Sequence, residues 1–435
     1  MTQRPFVVGL TGAFGSGCST AAKYLAALDK PYEIVKASAG LGDEWRRRNP
    51  EASHDPTRQD LQDLGDEIRR NDGPHAVVAA AIRPVLDRPS PPPRIGIDAI
   101  RNLGEVRWLQ EQFGDRFSLF ALYADADERY RRYRGLYHSE EEFLRDEERD
   151  RGETTAEYGQ QVARCVDNAD VFIVNDAPLD AYERDEILGE KISRFVAISE
   201  GRGTEYPSES ETLMNLAFNA AHGSKCLKRQ VGAVLAHDGE PWSTGFNENP
   251  NGMQPCVIEF HGTCFRDRIR QDRYQELYES GAHCPGCGVQ FPAVPMPPWR
   301  CPGCQKSLDS YFFPDRAMWW CTALHAEHRA ILNAGDRDLS TSTLYTTTFP
   351  CTLCAEKIIH ARIPKVIYME AYPDKYGRAL LESAGVELIL FEGVRSRSFN
   401  RVFSVVQATK EREAIEKVRD KAIARQQDNP ATGGA

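Results

Sequence analysis

The sequence predicts an α/β protein built in two units, and three observations carry that prediction. Short apolar strands alternate with amphipathic stretches through roughly the first 200 residues, the pattern of a parallel sheet. The alternation breaks at a Gly/Ser/charged run, Ser199 to Pro207, and then restarts. A glycine-rich loop closes the first strand, while His and Cys at metal-ligand spacings gather in the second unit. Taken in order, Phe6-Val7-Val8-Gly9-Leu10 reads as the first strand, followed by Arg94 to Asp98, Phe117 to Tyr123 and Val171 to Asn175. Ser90 to Pro93 is a rigid polyproline approach to the second of these. An amphipathic helix, Tyr182 to Val196, ends the first unit. The second unit opens with a helix from Ser208 to about His222, then a strand from Gln230 to Leu235. Asp238-Gly239 between that strand and a return toward Gly245 is a hairpin signal. A helix from His325, a strand Thr343 to Thr347, a helix from Pro350, and strands Lys365 to Glu370 and Val386 to Phe391 complete it. After Ser398 a charged helix is expected, ending in a disordered tail from Asp428 to Ala435. No internal repeat is visible.

At 435 residues the chain is too long for one typical domain. Its formal net charge is −10, against the strongly basic balance of a general nucleic-acid binder. Met1 to Leu10 carries one Arg and a short apolar run, unlike a signal peptide, and no window approaches 18 uncharged apolar residues. A cytoplasmic protein with no membrane partner is expected. Of the 12 cysteines, most stand in Cys-x-x-Cys pairs or beside a His-x-Glu motif. In a chain without a secretory leader, that spacing favours metal binding in a reducing cytosol over disulfides.

His325-Ala326-Glu327 and Pro350-Cys351-Thr352-Leu353-Cys354 are the most informative stretches. His325, Cys351 and Cys354 would fill three positions of a tetrahedral zinc and leave the fourth open, as a catalytic site requires. Zinc in such a site lowers the pKa of water from about 15.7 to about 7. Glu327 is not needed as a ligand and is placed to carry a proton. Pro350 suits the first turn of a helix, where its missing N–H is no loss, and puts Cys351 and Cys354 on one helical face. Between Pro255 and Cys321 lies an insertion with Cys284-Pro285-Gly286-Cys287 and Cys301-Pro302-Gly303-Cys304. Cys284, Cys287, Cys301 and Cys304 have the spacing of a four-thiolate structural zinc ribbon. Cys256, Cys264 and Cys321 have no assignment, the plain reading of each being a small buried hydrophobe.

In the first unit Gly12-Ala13-Phe14-Gly15-Ser16-Gly17-Cys18-Ser19 follows a strand and opens a helix, where a phosphate loop belongs. The positions of Gly12, Gly15, Gly17 and Ser19 fit Gly-x-x-x-x-Gly-Lys-Ser with one loss: Cys18 stands where the lysine should be. Backbone N–H groups can still cradle phosphate. Ser19, with Asp98 at a strand end, suits a magnesium ion brought in with a nucleotide. Without the lysine that balances β/γ-phosphate charge, phosphoryl transfer is disfavoured.

His-x-Glu with Pro-Cys-x-x-Cys is the signature of zinc-dependent nucleoside and nucleobase deaminases. From Glu211 to about Phe391 the chain resembles a deoxycytidylate deaminase of the cytidine deaminase superfamily. The matching residues are Ser224-Lys225-Cys226, Gln230-Val231-Gly232-Ala233-Val234, Gly245-Phe246-Asn247, His325-Ala326-Glu327 and the Pro350–Cys354 motif. The resemblance implies zinc-dependent hydrolysis at C4 of cytosine with Glu327 as the proton carrier. It also implies that Asn247 contacts the sugar or base and that Lys225, more than Lys228 or Arg229, contacts phosphate. Arg329 departs from the small polar residue usual after His-x-Glu, and reads as either a phosphate contact or a packing change. Arg129, Arg131, Arg132 and Arg134 resemble the arginine-bearing lid of nucleoside monophosphate kinases, against the plainer reading of a salt-bridged surface helix.

Nearly the whole chain resembles a bacterial family that fuses a P-loop kinase-like domain to a deoxycytidylate deaminase and defends against phage by converting dCTP and dCMP to uracil nucleotides. The expected architecture is therefore an N-terminal P-loop NTPase/kinase-like parallel sheet domain over residues 1–200, acting as regulator. A cytidine-deaminase-like α/β/α domain follows over 205–395, with the zinc-ribbon insertion at 257–320 and a tail at 396–435. The resemblance implies free dCTP or dCMP as substrate, a homo-oligomer, and a nucleotide, RNA or phage-derived effector for the first domain. Rival readings are a polynucleotide deaminase acting on tRNA or single-stranded DNA, a non-catalytic sensor, a true kinase–deaminase, and pyrimidine salvage. The acidic balance and the Gly-Phe-Asn loop favour a free nucleotide, and the intact Glu327 favours an enzyme.

Overall fold

The computed structural model describes residues 4–399, apart from 134, 136, 138, 152–157, 177–180, 203–204, 285, 292–300, 305–307, 309–320 and 371–374. The first half runs β1 (Phe6–Thr11), α1 (Cys18–Ala27), β2 (Glu33–Lys36), α2 (Ala37–Arg48), α3 (Arg58–Asp72), α4 (Ala76–Leu86) and β3 (Arg94–Asp98). It continues with α5 (Leu103–Phe113), β4 (Phe117–Tyr123), α6 (Ala126–Tyr133), α7 (Glu140–Arg151), α8 (Val162–Asp167), β5 (Val171–Val174) and α9 (Ala181–Ser199). The second half runs α10 (Glu209–Ala221), β6 (Gly232–His237), β7 (Glu240–Phe246), α11 (Cys256–Glu259), α12 (Phe265–Glu279), α13 (Ala326–Asn333) and β8 (Thr343–Thr346). Then come α14 (Thr352–His360), β9 (Lys365–Tyr368), α15 (Lys375–Ser383), β10 (Glu387–Leu390) and β11 (Gly393–Val394).

Among the described residues the strands make two sheets, ordered β11-β5-β4-β1-β3-β2 and β10-β9-β8-β6-β7. In the first, β1 to β5 are mutually parallel, with β1 central between β3 and β4. Every residue of β1 is buried, as expected of a parallel strand covered on both faces. In the second, β8, β9 and β10 are parallel while β6 runs antiparallel to both β7 and β8. The β6–β7 hairpin turns at Asp238 (φ 47°) and Gly239 (φ 79°), the left-handed pair that matches strand twist in a two-residue loop.

Helix α9 ends at Ser199 and α10 begins at Glu209. Ser208 caps α10: its Oγ accepts from Glu211 N (3.1 Å) and its N–H donates to Glu211 Oε2 (2.8 Å). The halves are nonetheless stitched together. β11 leaves the second sheet and pairs antiparallel with β5 of the first. Glu211 Oε1, on the helix that opens the second half, accepts from Val394 N at 3.0 Å. One apolar cluster runs continuously from Val7, Ile97 and Phe172 through Leu213, Met214 and Ala217 to Val234, Tyr345 and Ile367. Separate clusters cover the far face of each sheet. Residues 396–399 are helical, and the charged helix and disordered tail expected after Ser398 lie outside the described residues from 400 on. Among the described residues no helix is long and apolar enough to cross a membrane.

Candidate active site

Two helix N-termini meet at the carboxyl ends of the second sheet. His325 is the N-cap of α13 and Glu327 lies in its first turn. Cys351 is the N-cap of α14, with Cys354 in the first turn. Helix α14 therefore starts two residues later than the proline placed it. Pro350 precedes the cap, where the backbone is extended, and Cys351 takes the capping position itself. Helix α13 can come this close to the hairpin because Gly245 lacks a side chain. A Cβ there would lie 2.2 Å from Ala326 O and 2.5 Å from Ala330 N.

His325 Nδ1 lies 3.2 Å from Cys354 Sγ and 3.4 Å from Cys351 Sγ, and the three donor atoms fall within 4.8 Å of one another. Bond lengths of about 2.0 Å to nitrogen and 2.3 Å to sulfur place the ligands of a tetrahedral zinc about 3.5 Å apart, so the donor set fits that ion. The hydrogen bond with Cys354, then that with His325, lowers the Cys351 thiol to about 4, the ligating form. Glu327 is 2 % exposed, its Oε2 3.5 Å from Cys354 Sγ, and burial pushes its carboxyl up to about 7. The motif residues named from the sequence thus converge. Two soft sulfurs, one imidazole and a buried carboxyl just beyond them form a donor set that could hold a metal ion, with a titratable group beside it.

The expected substrate contacts are more dispersed. Lys225 is exposed and lines a cavity of about 310 Å³ whose wall includes Asn249, Arg266 and Thr322. The hydrogen bond with Cys351 holds the His325 imidazole above its ordinary value, against burial and the charge of Arg266, a residue that sequence reasoning passed over. Asn247 is buried and holds backbone at both ends of its amide, accepting from Val231 N (2.8 Å) and donating to Arg229 O (3.0 Å). Lys228 pairs with Asp267, and Arg229 with Glu370 and Asp167. Arg329 pairs with Glu248 and lies 4.1 Å over the Phe246 ring. Cys256, Cys264 and Cys321 are not buried hydrophobes; with Cys226 they line the same cavity.

In the insertion, Cys284, Cys287, Cys301 and Cys304 place their sulfurs within 4.8 Å of one another, with Cys284 and Cys304 3.7 Å apart and Cys287 and Cys301 3.5 Å. That arrangement fits a closed four-thiolate zinc. A small apolar cluster of Tyr274, Phe291 and Leu308 packs behind it.

At the far end of the chain, the glycine-rich loop joins β1 to α1. Gly15 (φ 85°) and Gly17 (φ 107°) adopt backbone that favours glycine, and Gly17 caps α1. Ser19 Oγ donates to Asp98 Oδ2 at 2.9 Å, which unites two residues chosen from sequence. Packing around the Cys18 sulfur pushes its thiol up to about 11, so it brings no charge where the lysine is missing. The arginines read as a lid divide. Arg129 is buried and donates to Ala124 O (2.9 Å) and Phe14 O (3.2 Å), and Arg132 donates to Gly15 O (3.0 Å) and Asn175 O (2.6 Å). Both hold the loop from below. Arg131 is 63 % exposed and pairs with Glu128, as on an ordinary surface helix. Arg134 lies outside the described residues.

Residues 207–370, within the second half of the chain, match the family described as the cytidine and deoxycytidylate deaminase zinc-binding region. The deoxycytidylate deaminase of Schizosaccharomyces pombe is 30% identical over 222 residues, 51% of this chain and 53% of that protein. The deoxycytidylate deaminase of Saccharomyces cerevisiae is 30% identical over 187 residues, 42% of this chain and 45% of that protein. The chain thus spans about half the length of these relatives. The deoxycytidylate deaminase of Enterobacteria phage T2 is 27% identical over 184 residues, 41% of this chain and 90% of that protein.

Proposed function

We propose that the protein hydrolyses the exocyclic amine of free deoxycytidine nucleotides, turning dCMP, dCTP or both into the uracil nucleotide and ammonia. The observation that carries this reading is the convergence of His325, Cys351 and Cys354 beside the buried carboxyl of Glu327. His325, Cys351 and Cys354 would hold zinc, which when bound supplies the Lewis acidity that activates water at neutral pH. Glu327 takes the proton from that water. Glu327 passes that first proton to N3 of the cytosine as the water oxygen bonds to C4. It then carries the second proton, from the new hydroxyl on C4, to the amine as the C4–N bond breaks, so one water enters and one ammonia leaves. The low-dielectric surroundings that raise the Glu327 carboxyl also keep it from bulk solvent during the transfer.

The first half is read as a sensing domain. Its parallel sheet, its glycine loop and the Ser19–Asp98 pair support binding of a phosphate-bearing ligand with magnesium, and the uncharged Cys18 favours sensing over phosphoryl transfer. Depletion of dCTP in defence against phage is the biological role that fits this pairing, on the resemblance of the whole chain. The test is ammonia release by zinc-replete protein offered dCMP, dCTP, CMP, cytidine and a cytosine-containing oligonucleotide side by side. Turnover of dCMP or dCTP supports the reading and fixes the phosphate level. Turnover of the oligonucleotide alone moves the protein to the polynucleotide deaminases, and silence across all five overturns catalysis on cytosine. Survival of cells carrying the gene under phage challenge, against pyrimidine-limited growth, separates defence from salvage.

A further inference from the structure

Glu370 stands just beyond the carboxyl end of β9, outside every motif, with its side chain only 11 % exposed. Both carboxylate oxygens are used. Oε2 accepts from Thr348 Oγ1 (2.5 Å) and from Phe349 N (2.9 Å), the two residues that lead into Pro350 and the ligand Cys351. Oε1 accepts from Arg229 Nη1 at 2.8 Å. The other arm of that guanidinium, Nη2, donates to Asp167 Oδ1 at 3.2 Å. Asp167 is the last residue of α8 and belongs to the first half.

The attachment of α8 makes this contact more than a surface pair. At its start, Gln161 N donates to Arg101 O (2.7 Å), and Asn102 Nδ2 donates to Gly159 O (2.7 Å). Arg101 and Asn102 follow Asp98, the carboxylate that holds Ser19 of the glycine loop. At its end, Asp167 O accepts from Arg395 Nη2 at 2.7 Å. Arg229 is in turn fixed by Asn247, which holds the backbone on both sides of Gln230.

We infer that Glu370 is a positioning residue for the Cys351 ligand loop, and that Arg229, by bridging Glu370 and Asp167, makes that positioning answer to the first half of the chain. A planar guanidinium can serve two carboxylates with separate N–H groups, which a lysine ammonium does not reproduce. Loss of a hydrogen-bond partner that orients a metal ligand typically weakens metal binding or activity about 10- to 100-fold. The inference rests on the deaminase reading for its kinetic consequence, but its structural part concerns zinc retention and is measurable without turnover.

The experiment compares full-length, zinc-replete wild type with Glu370→Gln, Arg229→Lys and Asp167→Asn. Three readouts run together: zinc content, the rate at which a colorimetric chelator strips zinc, and kcat and KM for dCMP. The stripping trace of wild type should separate a slow ribbon zinc from the active-site zinc. Glu370→Gln should release the active-site zinc about 10- to 100-fold faster and lower kcat by a similar factor, with KM and ribbon release unchanged. Arg229→Lys should act in the same direction. Asp167→Asn should have a smaller effect that disappears when combined with Arg229→Lys, because both cut the same arm. Unchanged release and kcat in Glu370→Gln overturn the positioning role. Additive effects of Arg229→Lys and Asp167→Asn overturn the coupling. Should Glu370→Gln fail to fold, Arg229→Lys with Thr348→Val decides by the same readouts. If wild type deaminates nothing, the functional reading fails while the release rates still judge this one.

Discussion

Each half of the molecule carries a sequence motif at a helix N-terminus, and the two differ in what surrounds it. In the second half, α13 and α14 bring an imidazole, two thiolates and a buried carboxyl to one point, and every residue of the motif arrives. In the first half the backbone of the loop is intact, with Gly15 and Gly17 in their left-handed conformations and Ser19 on Asp98, but the charge that chemistry would need is missing. Arg129 and Arg132 sit close by, yet they grip loop carbonyls and carboxylates rather than an open space. One motif thus keeps its backbone geometry without the expected cation, and the other brings together every side chain it names. The difference teaches that motif geometry and motif chemistry have to be read separately.

The sharpest contrast lies between the two metal clusters. Cys351→Ser should remove the active-site zinc and reduce ammonia release to background, while leaving the ribbon zinc in place. Cys301→Ser should do the reverse for zinc content, with turnover reduced far less. Zinc counting and the assay on both variants check this, and equal loss of turnover would erase the distinction. Next in size is Glu105→Ala in the first half. Glu105 is 1 % exposed and pairs with buried Arg69 at 2.9 Å, so removing it strands a buried charge. Denaturant unfolding should record a loss of about 3–5 kcal/mol. Cys18→Lys would restore charge to the loop, and a charge-assisted hydrogen bond of about 1.5–3 kcal/mol should tighten magnesium–ATP binding by roughly 10-fold or more in calorimetry. No change there would mean the loop is closed to nucleotides. At the small end, Arg131→Ala should alter stability by less than about 1 kcal/mol, because the pair is exposed.

Much of the fold was legible because its strands are apolar and rich in β-branched and aromatic residues. β1, β3, β4 and β5 are found where Phe6, Arg94, Phe117 and Val171 begin their runs. β2 was not, since Glu33-Ile34-Val35-Lys36 is short and half polar, and its identity as a strand comes from pairing with β3. β11 is two residues long, and no periodicity exists at that length. Its place depends on Glu211, Asn215 and β5, which are far away in sequence. The zinc ligands were legible because a metal fixes both residue type and spacing. Glu370 was invisible for the opposite reason: a carboxylate that holds backbone N–H groups imposes no spacing on its neighbours. Its position just past a strand, at the carboxyl edge of an α/β sheet where sites gather, was the available signal.

The central claim is that Glu327 moves protons and holds no metal. The most direct measurement is therefore zinc content and ammonia release from dCMP and dCTP for wild type and Glu327→Ala under one condition. The account predicts equal zinc in both proteins and turnover lower in the variant by about 10²- to 10⁴-fold. Turnover within a few fold of wild type, or loss of the active-site zinc with the carboxyl, would contradict it.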